Sequence, residues 1–143
     1  MAKAKGLKTL IRLARFDVDE KRRMLTELQA REDQILEDIR QGEERLKHEQ
    51  AVAAGDATGV GFLYGAYHRA WMDWRQHQDI ALMAVRHMIE QARDALAESF
   101  RQLKTYEITQ RERERREQLE ADRKEQAFLD ELGQQIHQRK EEA

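Results

Sequence analysis

The chain contains no cysteine and no proline. Without thiols there are no disulfides and no thiolate metal sites, a composition that fits a reducing cytoplasm. Without proline, no interior position is forced to kink or end a helix. Aromatic residues are scarce, at 6%, and neither sign of charge dominates: 26 basic residues face 28 acidic ones. No run approaches the roughly 18 apolar residues that span a bilayer, so membrane association is expected to be peripheral. The first fifteen residues carry Lys3, Lys5, Lys8, Arg12 and Arg15 and no acid. No apolar stretch follows them, so they do not read as a signal peptide.

What the chain does have is charge, on 38% of its residues. Mixed-sign charge with few aromatics is the composition of a long helix or coiled coil. Disorder shares the high charge and low hydropathy, but it does not account for sustained heptads. Here an apolar seam runs from Leu7 to Ala53 in alternating 4-3 steps through Ile11, Ala14, Val18, Leu25, Leu28, Ile35, Ile39 and Leu46. Lys21, Glu32, Gly42 and Glu49 fill the remaining seam positions. A repeat of 3.5 residues lets two helices wrap around each other with one face always inward. Acid-to-base pairs four residues apart support the exposed faces: Asp17 with Lys21, Asp19 with Arg23, Glu27 with Arg31, Glu43 with Lys47. Each adds a few tenths of a kcal/mol.

The seam breaks at Ala54-Gly-Asp-Ala-Thr-Gly-Val-Gly61, where Asp56 and Thr58 are candidate N-caps for the next helix. The second arm opens with Phe62, Tyr64, Tyr67, Trp71 and Trp74. It continues through Leu82, Val85, Ile89, Ala92, Leu96, Ser99, Leu103 and Tyr106, again in 3-4 alternation. After Ile108 the stripe vanishes. Residues 110–126 balance six basic against six acidic side chains around Leu119, and an apolar patch returns at Phe128, Leu129, Leu132 and Ile136. Folding the chain back near residue 57 sets the first arm against the apolar part of the second. The expected fold is all-α: a long antiparallel two-helix coiled-coil hairpin with a protruding C-terminal helix. Its elements are helix 1 at about 5–53, a turn at about 54–61 and helix 2 at about 62–138, in one coiled-coil domain over 1–143. Each paired arm would be roughly 75 Å long at about 1.5 Å per residue.

Chemistry finds little to stand on. Gly59-x-Gly61-x-x-x-Gly65 misses the dinucleotide fingerprint by one residue and follows no strand, and no phosphate-loop motif exists. His48, His68, His77, His87 and His137 include face-sharing pairs with acids but no four-ligand set. No catalytic residue, no cofactor and no metal ligand is assigned, and an enzyme is not expected. The charges of 110–126 cancel, so the one-sign field that nucleic acid requires is missing. The polar seam residues read as register devices, with Gly42 as a flex point the alternative. Tyr67, Trp71 and Trp74 share one helix face with Tyr64 preceding them. They serve either as a plug at the hairpin tip or as a docking stripe, since Trp and Tyr dominate interface hot spots.

The string from Leu7 through Phe16 to Arg23, with its Phe-x-Val-Asp-Glu-Lys-Arg-Arg stretch, resembles the start of the FliJ family of flagellar type III export proteins, in its alphaproteobacterial form. Chain length, the break near residue 57 and the charged C-terminal arm agree. The resemblance implies an antiparallel coiled coil similar to the central stalk of rotary ATPases. Its implied partners are the hexameric export ATPase, the cytoplasmic domain of the export gate and some export chaperones. It implies a cytoplasmic location, peripheral at the inner face of the membrane at the flagellar base.

A non-enzymatic stalk of the export ATPase complex is therefore the first expectation. The contact with the ATPase ring is assigned to Leu7, Ile11, Arg12, Arg15, Phe128 and Leu132, and the contact with the gate to Tyr64, Tyr67, Trp71 and Trp74. The family's aromatic content is expected to be lower than this. The alternative is a homodimeric coiled-coil scaffold or adaptor with no ATPase.

Overall fold

A computed structural model describes the backbone of residues 2–55 and 61–142, and side chains of residues 6–55 and 63–142. The described residues form two helices: α1, Ala2–Ala54, and α2, Gly61–Glu142. They pack against each other as an all-α hairpin, and no proline interrupts either one. The N–H of Gly55 donates to the carbonyl of Ala51 at 3.1 Å, closing the last turn of α1. Arg139 and Lys140 lie in the last turn of α2, where cations oppose the negative end of the helix dipole. The expected caps Asp56 and Thr58, and Gly59, lie outside the described residues, as does the Phe62 side chain.

The chain divides into two compact units, Asp17–Ser99 and the pair Met1–Phe16 with Phe100–Ala143. In the first unit the helices run antiparallel, because partners on α2 fall in number as those on α1 rise. Asp17 meets Ser99, Glu32 meets Arg86, and Gly42 meets Trp71. Its interior is the heptad seam. Val18, Ile39, Val85 and Ile89 are buried, and Leu25, Leu28, Ile35, Leu46, Leu82, Ala92 and Leu96 are half-buried. A two-helix pair has no third element to close its flanks, which is why so many seam residues stay half-covered. The buried ones still contribute roughly 1.5–3 kcal/mol each as upper values.

Polar seam residues find partners or leave the seam. Ser99, 6% exposed, donates its hydroxyl to Asp17 at 2.7 Å. Lys21 lies 3.7 Å from the same carboxylate. Arg86 Nε donates to Glu32 across the pair at 3.1 Å. Glu49 faces solvent. The two cross-helix pairings, Ser99 with Asp17 and Arg86 with Glu32, suit one register only, since sliding either helix by one turn would separate both.

In the second unit Leu7, Ile11 and Leu103 form the buried centre. Beyond Gln110 every described side chain of α2 is exposed. That stretch is stitched along its own surface instead: Gln110 to Glu114, Gln118 to Asp122, Gln126 to Asp130, and Arg123 to Glu120. Such pairs are worth a few tenths of a kcal/mol each, which leaves a helix of this polarity marginal without a partner.

Candidate partner-binding surfaces

In the Asp17–Ser99 unit, the first turns of α2 bring Tyr64, Tyr67, Trp71 and Trp74 to the side facing α1. Trp71 and Trp74 are both half-buried, with ring centroids 6.4 Å apart and planes inclined by 46°. Trp71 donates its indole N–H to the carbonyl oxygen of Gly42 at 2.9 Å. The Trp74 ring lies over the same glycine: a Cβ there would stand 2.5 Å from its Cζ3 atom. Gly42 is therefore a notch that admits an indole, a role neither the register reading nor the flex-point reading supplied.

Tyr64 packs on His68 with centroids 5.9 Å apart, and its buried hydroxyl has no hydrogen-bond partner among the described residues. Tyr67 is 36% exposed. The four rings thus divide. Trp71 and Trp74 fill the space above Gly42, while Tyr67 shows much of its ring to solvent. A cleft of about 400 Å³ remains among Asp38, Gly42, Arg45, Tyr67, Trp74 and Gln78. Arg75 braces this region by pairing with Glu43 on α1 and Asp79 on its own helix, and the two carboxylates raise its already high pKa.

A second cleft of about 460 Å³ opens in the same unit between Met24, Leu28 and Arg31 on α1 and Met88, Ala92 and Ala95 on α2. Sequence reasoning missed it, because apart from Leu28 and Ala92 its walls lie beside the seam. The signal available was a seven-residue repeat: Met24, Arg31, Asp38 and Arg45 on α1, and Tyr67, Trp74, Met88 and Ala95 on α2. Residues on one repeat share one side of a helix, so both clefts belong to a single groove along the pair.

In the other unit, Arg12, Arg15, Phe128 and Leu132 are all exposed, Phe128 by 64%. Leu7 and Ile11 are not: at 7% and 6% exposure their side chains are committed to the interior. Leu10, Leu13 and Phe16 form the apolar surface of α1 there instead. Leu129 and Ile136 join Phe128 and Leu132 as a solvent-facing stripe on α2. Among the described residues no group of three or more histidine, aspartate or glutamate side chains is arranged to hold a metal ion. No described helix is long and apolar enough to cross a membrane.

These features define a helical hairpin of the coiled-coil class. The family model for the flagellar FliJ protein matches residues 3–142, nearly the whole sequence, and the chain belongs to that family. It is thus a flagellar export-related protein that works with components of the export apparatus. Comparison with curated proteins and with solved structures returned no match.

Proposed function

We propose that the protein is the non-enzymatic central stalk of the flagellar export ATPase complex, inserting into the ATPase hexamer and linking it to the cytoplasmic domain of the export gate. The observation that carries this reading is family membership over 3–142, joined to a hairpin with outward-facing apolar and charged stripes. Arg12, Arg15, Phe128 and Leu132 are the ring-contacting side chains, and Leu7 and Ile11 hold the helix that presents the two arginines. Tyr67 and the accessible edges of Tyr64, Trp71 and Trp74 face the gate. Export chaperones are further partners, and attachment to the membrane is indirect, through the gate.

The test is reconstitution with the export ATPase. The full chain should promote assembly of the hexamer and raise its turnover, and the gate's cytoplasmic domain should bind the same chain. A chain that neither binds the ATPase nor changes its oligomeric state would sink the stalk reading.

A further inference from the structure

The groove beside the seam is unusual in where its charge comes from. Every charged side chain lining the two clefts stands on α1: Glu27, Arg31, Asp38 and Arg45. The α2 wall is neutral, supplied by Tyr67, Trp74, Gln78, Met88, Gln91 and Ala95. Any helix lying there meets a fixed charge order of minus, plus, minus, plus, at steps of four, seven and seven residues.

The exposed part of α2 carries the complement. Arg113, Glu117, Lys124 and Glu131 follow the same steps in the same direction with every charge reversed. Phe128 stands four residues after Lys124, as Gly42 stands four after Asp38. Setting the charges in register therefore places Phe128 level with Gly42, where the two indoles already fill the notch, so its ring meets the open cleft beside Tyr67 and Trp74. Flanking charges at heptad spacing fix partner choice and orientation in coiled coils, and large rings in apolar clefts supply the affinity.

We propose that this groove takes residues 113–131 of a second copy of the chain, laid parallel to α1 as a third helix. Each copy offers one groove and one charged helix, so the contact can be reciprocal, as in a two-fold dimer. The exposed helix is marginal alone and gains a partner. Rim charges are screened and weakly held, so the dimer should be weak and salt-sensitive. Its consequence is competition. Phe128, assigned above to the ATPase ring, is covered in the dimer, as is the Tyr67 cleft. The dimer itself does not depend on the stalk reading, because its test contains no ATPase.

Sedimentation of the full chain across about 1–300 μM should show a reversible monomer–dimer step that weakens as salt rises. Asp38→Lys and Lys124→Asp should each weaken the dimer roughly tenfold, and an equimolar mixture should regain a matched contact and recover most of the loss. Circular dichroism should find the helicity of both variants unchanged. Position is read by cysteine: the native chain has none. Arg45→Cys mixed with Glu131→Cys should yield a disulfide-linked pair under mild oxidation faster than either variant alone. A chain that stays monomeric throughout, a mixture no stronger than its components, or faster linkage of Glu131→Cys to itself would each overturn the proposal.

Discussion

Trp71 and Gly42 are joined by a hydrogen bond of 2.9 Å from indole N–H to backbone carbonyl, although 29 residues separate them in sequence. The bond fixes the Trp71 ring against α1 and leaves the glycine face for Trp74. A helical carbonyl already accepts one bond within its own helix, so this second bond uses its remaining lone pair. Tryptophan is thereby held at a seam built for aliphatic side chains.

Gly42→Ala tests this relationship by a change of sign. In a helix, alanine is favoured over glycine by about 1 kcal/mol. Here its Cβ would meet Trp74 at 2.5 Å, and overpacking costs about 1–3 kcal/mol. The single variant should lose roughly 1 kcal/mol in urea unfolding, with its tryptophan emission shifted to the red. In a Trp74→Ala background the same change should stabilise by about 1 kcal/mol. A stabilised single variant with unchanged emission would show that the notch holds no ring.

Ile89 and Arg113 separate interior from surface. Ile89 is 5% exposed and Arg113 faces water. Ile89→Ala should lower stability by about 2–3 kcal/mol, at the low end for buried aliphatic truncations because a two-helix seam relaxes easily. Arg113→Ala should stay within about 0.5 kcal/mol. Equal losses in thermal melts followed by circular dichroism would place the seam on the wrong face.

The apolar seam was legible in the sequence because its period is long and unbroken. All but one of the fourteen seam positions from Leu7 to Ala53 are buried or half-buried, and Glu49 is the exception. Leu7 and Ile11 carry two expectations, as seam positions and as ring contacts, and at 7% and 6% exposure they are seam positions whose side chains face inward. What periodicity could not reveal were relationships across the pair. Glu43, expected to bond Lys47 on its own helix, reaches Arg75 instead, and Asp19 pairs with Arg22 rather than Arg23. A glycine in a seam has several readings until its opposite number is known, and Trp74 is 32 residues away. The side groove was hidden for the same reason, since its two walls come from different helices.

Ser99→Ala isolates the buried polar contact. The hydroxyl donates to the Asp17 carboxylate at 2.7 Å, and Lys21 stands 3.7 Å from that carboxylate. Hydrogen bonds to charged groups contribute about 1.5–3 kcal/mol, but the Asp17 side chain is 45% exposed and water can replace the lost donor. A loss of about 1 kcal/mol is expected. Combined with Asp17→Ala, the second change should add little, because both remove one contact. Additive losses would mean that the two residues stabilise the pair independently.

Phe128→Ala with Leu132→Ala bears on the proposed contact with the ATPase ring. Both side chains are exposed, by 64% and 43%, so neither holds the fold together. The stability of the double variant should therefore stay within the scatter of surface substitutions, about 0.5 kcal/mol. If these side chains enter a cleft on the ring, burying them there is worth roughly 2 kcal/mol or more, about thirtyfold in affinity. Tyr67→Ala serves as the counterpart: it should weaken the gate contact and leave the ring contact unchanged. The measurements are ATPase binding and stimulation, gate-domain binding, and unfolding of each variant. Unchanged ATPase binding by the double variant, with the fold intact, would remove the Phe128 stripe from the ring interface and leave Arg12 and Arg15 to carry it.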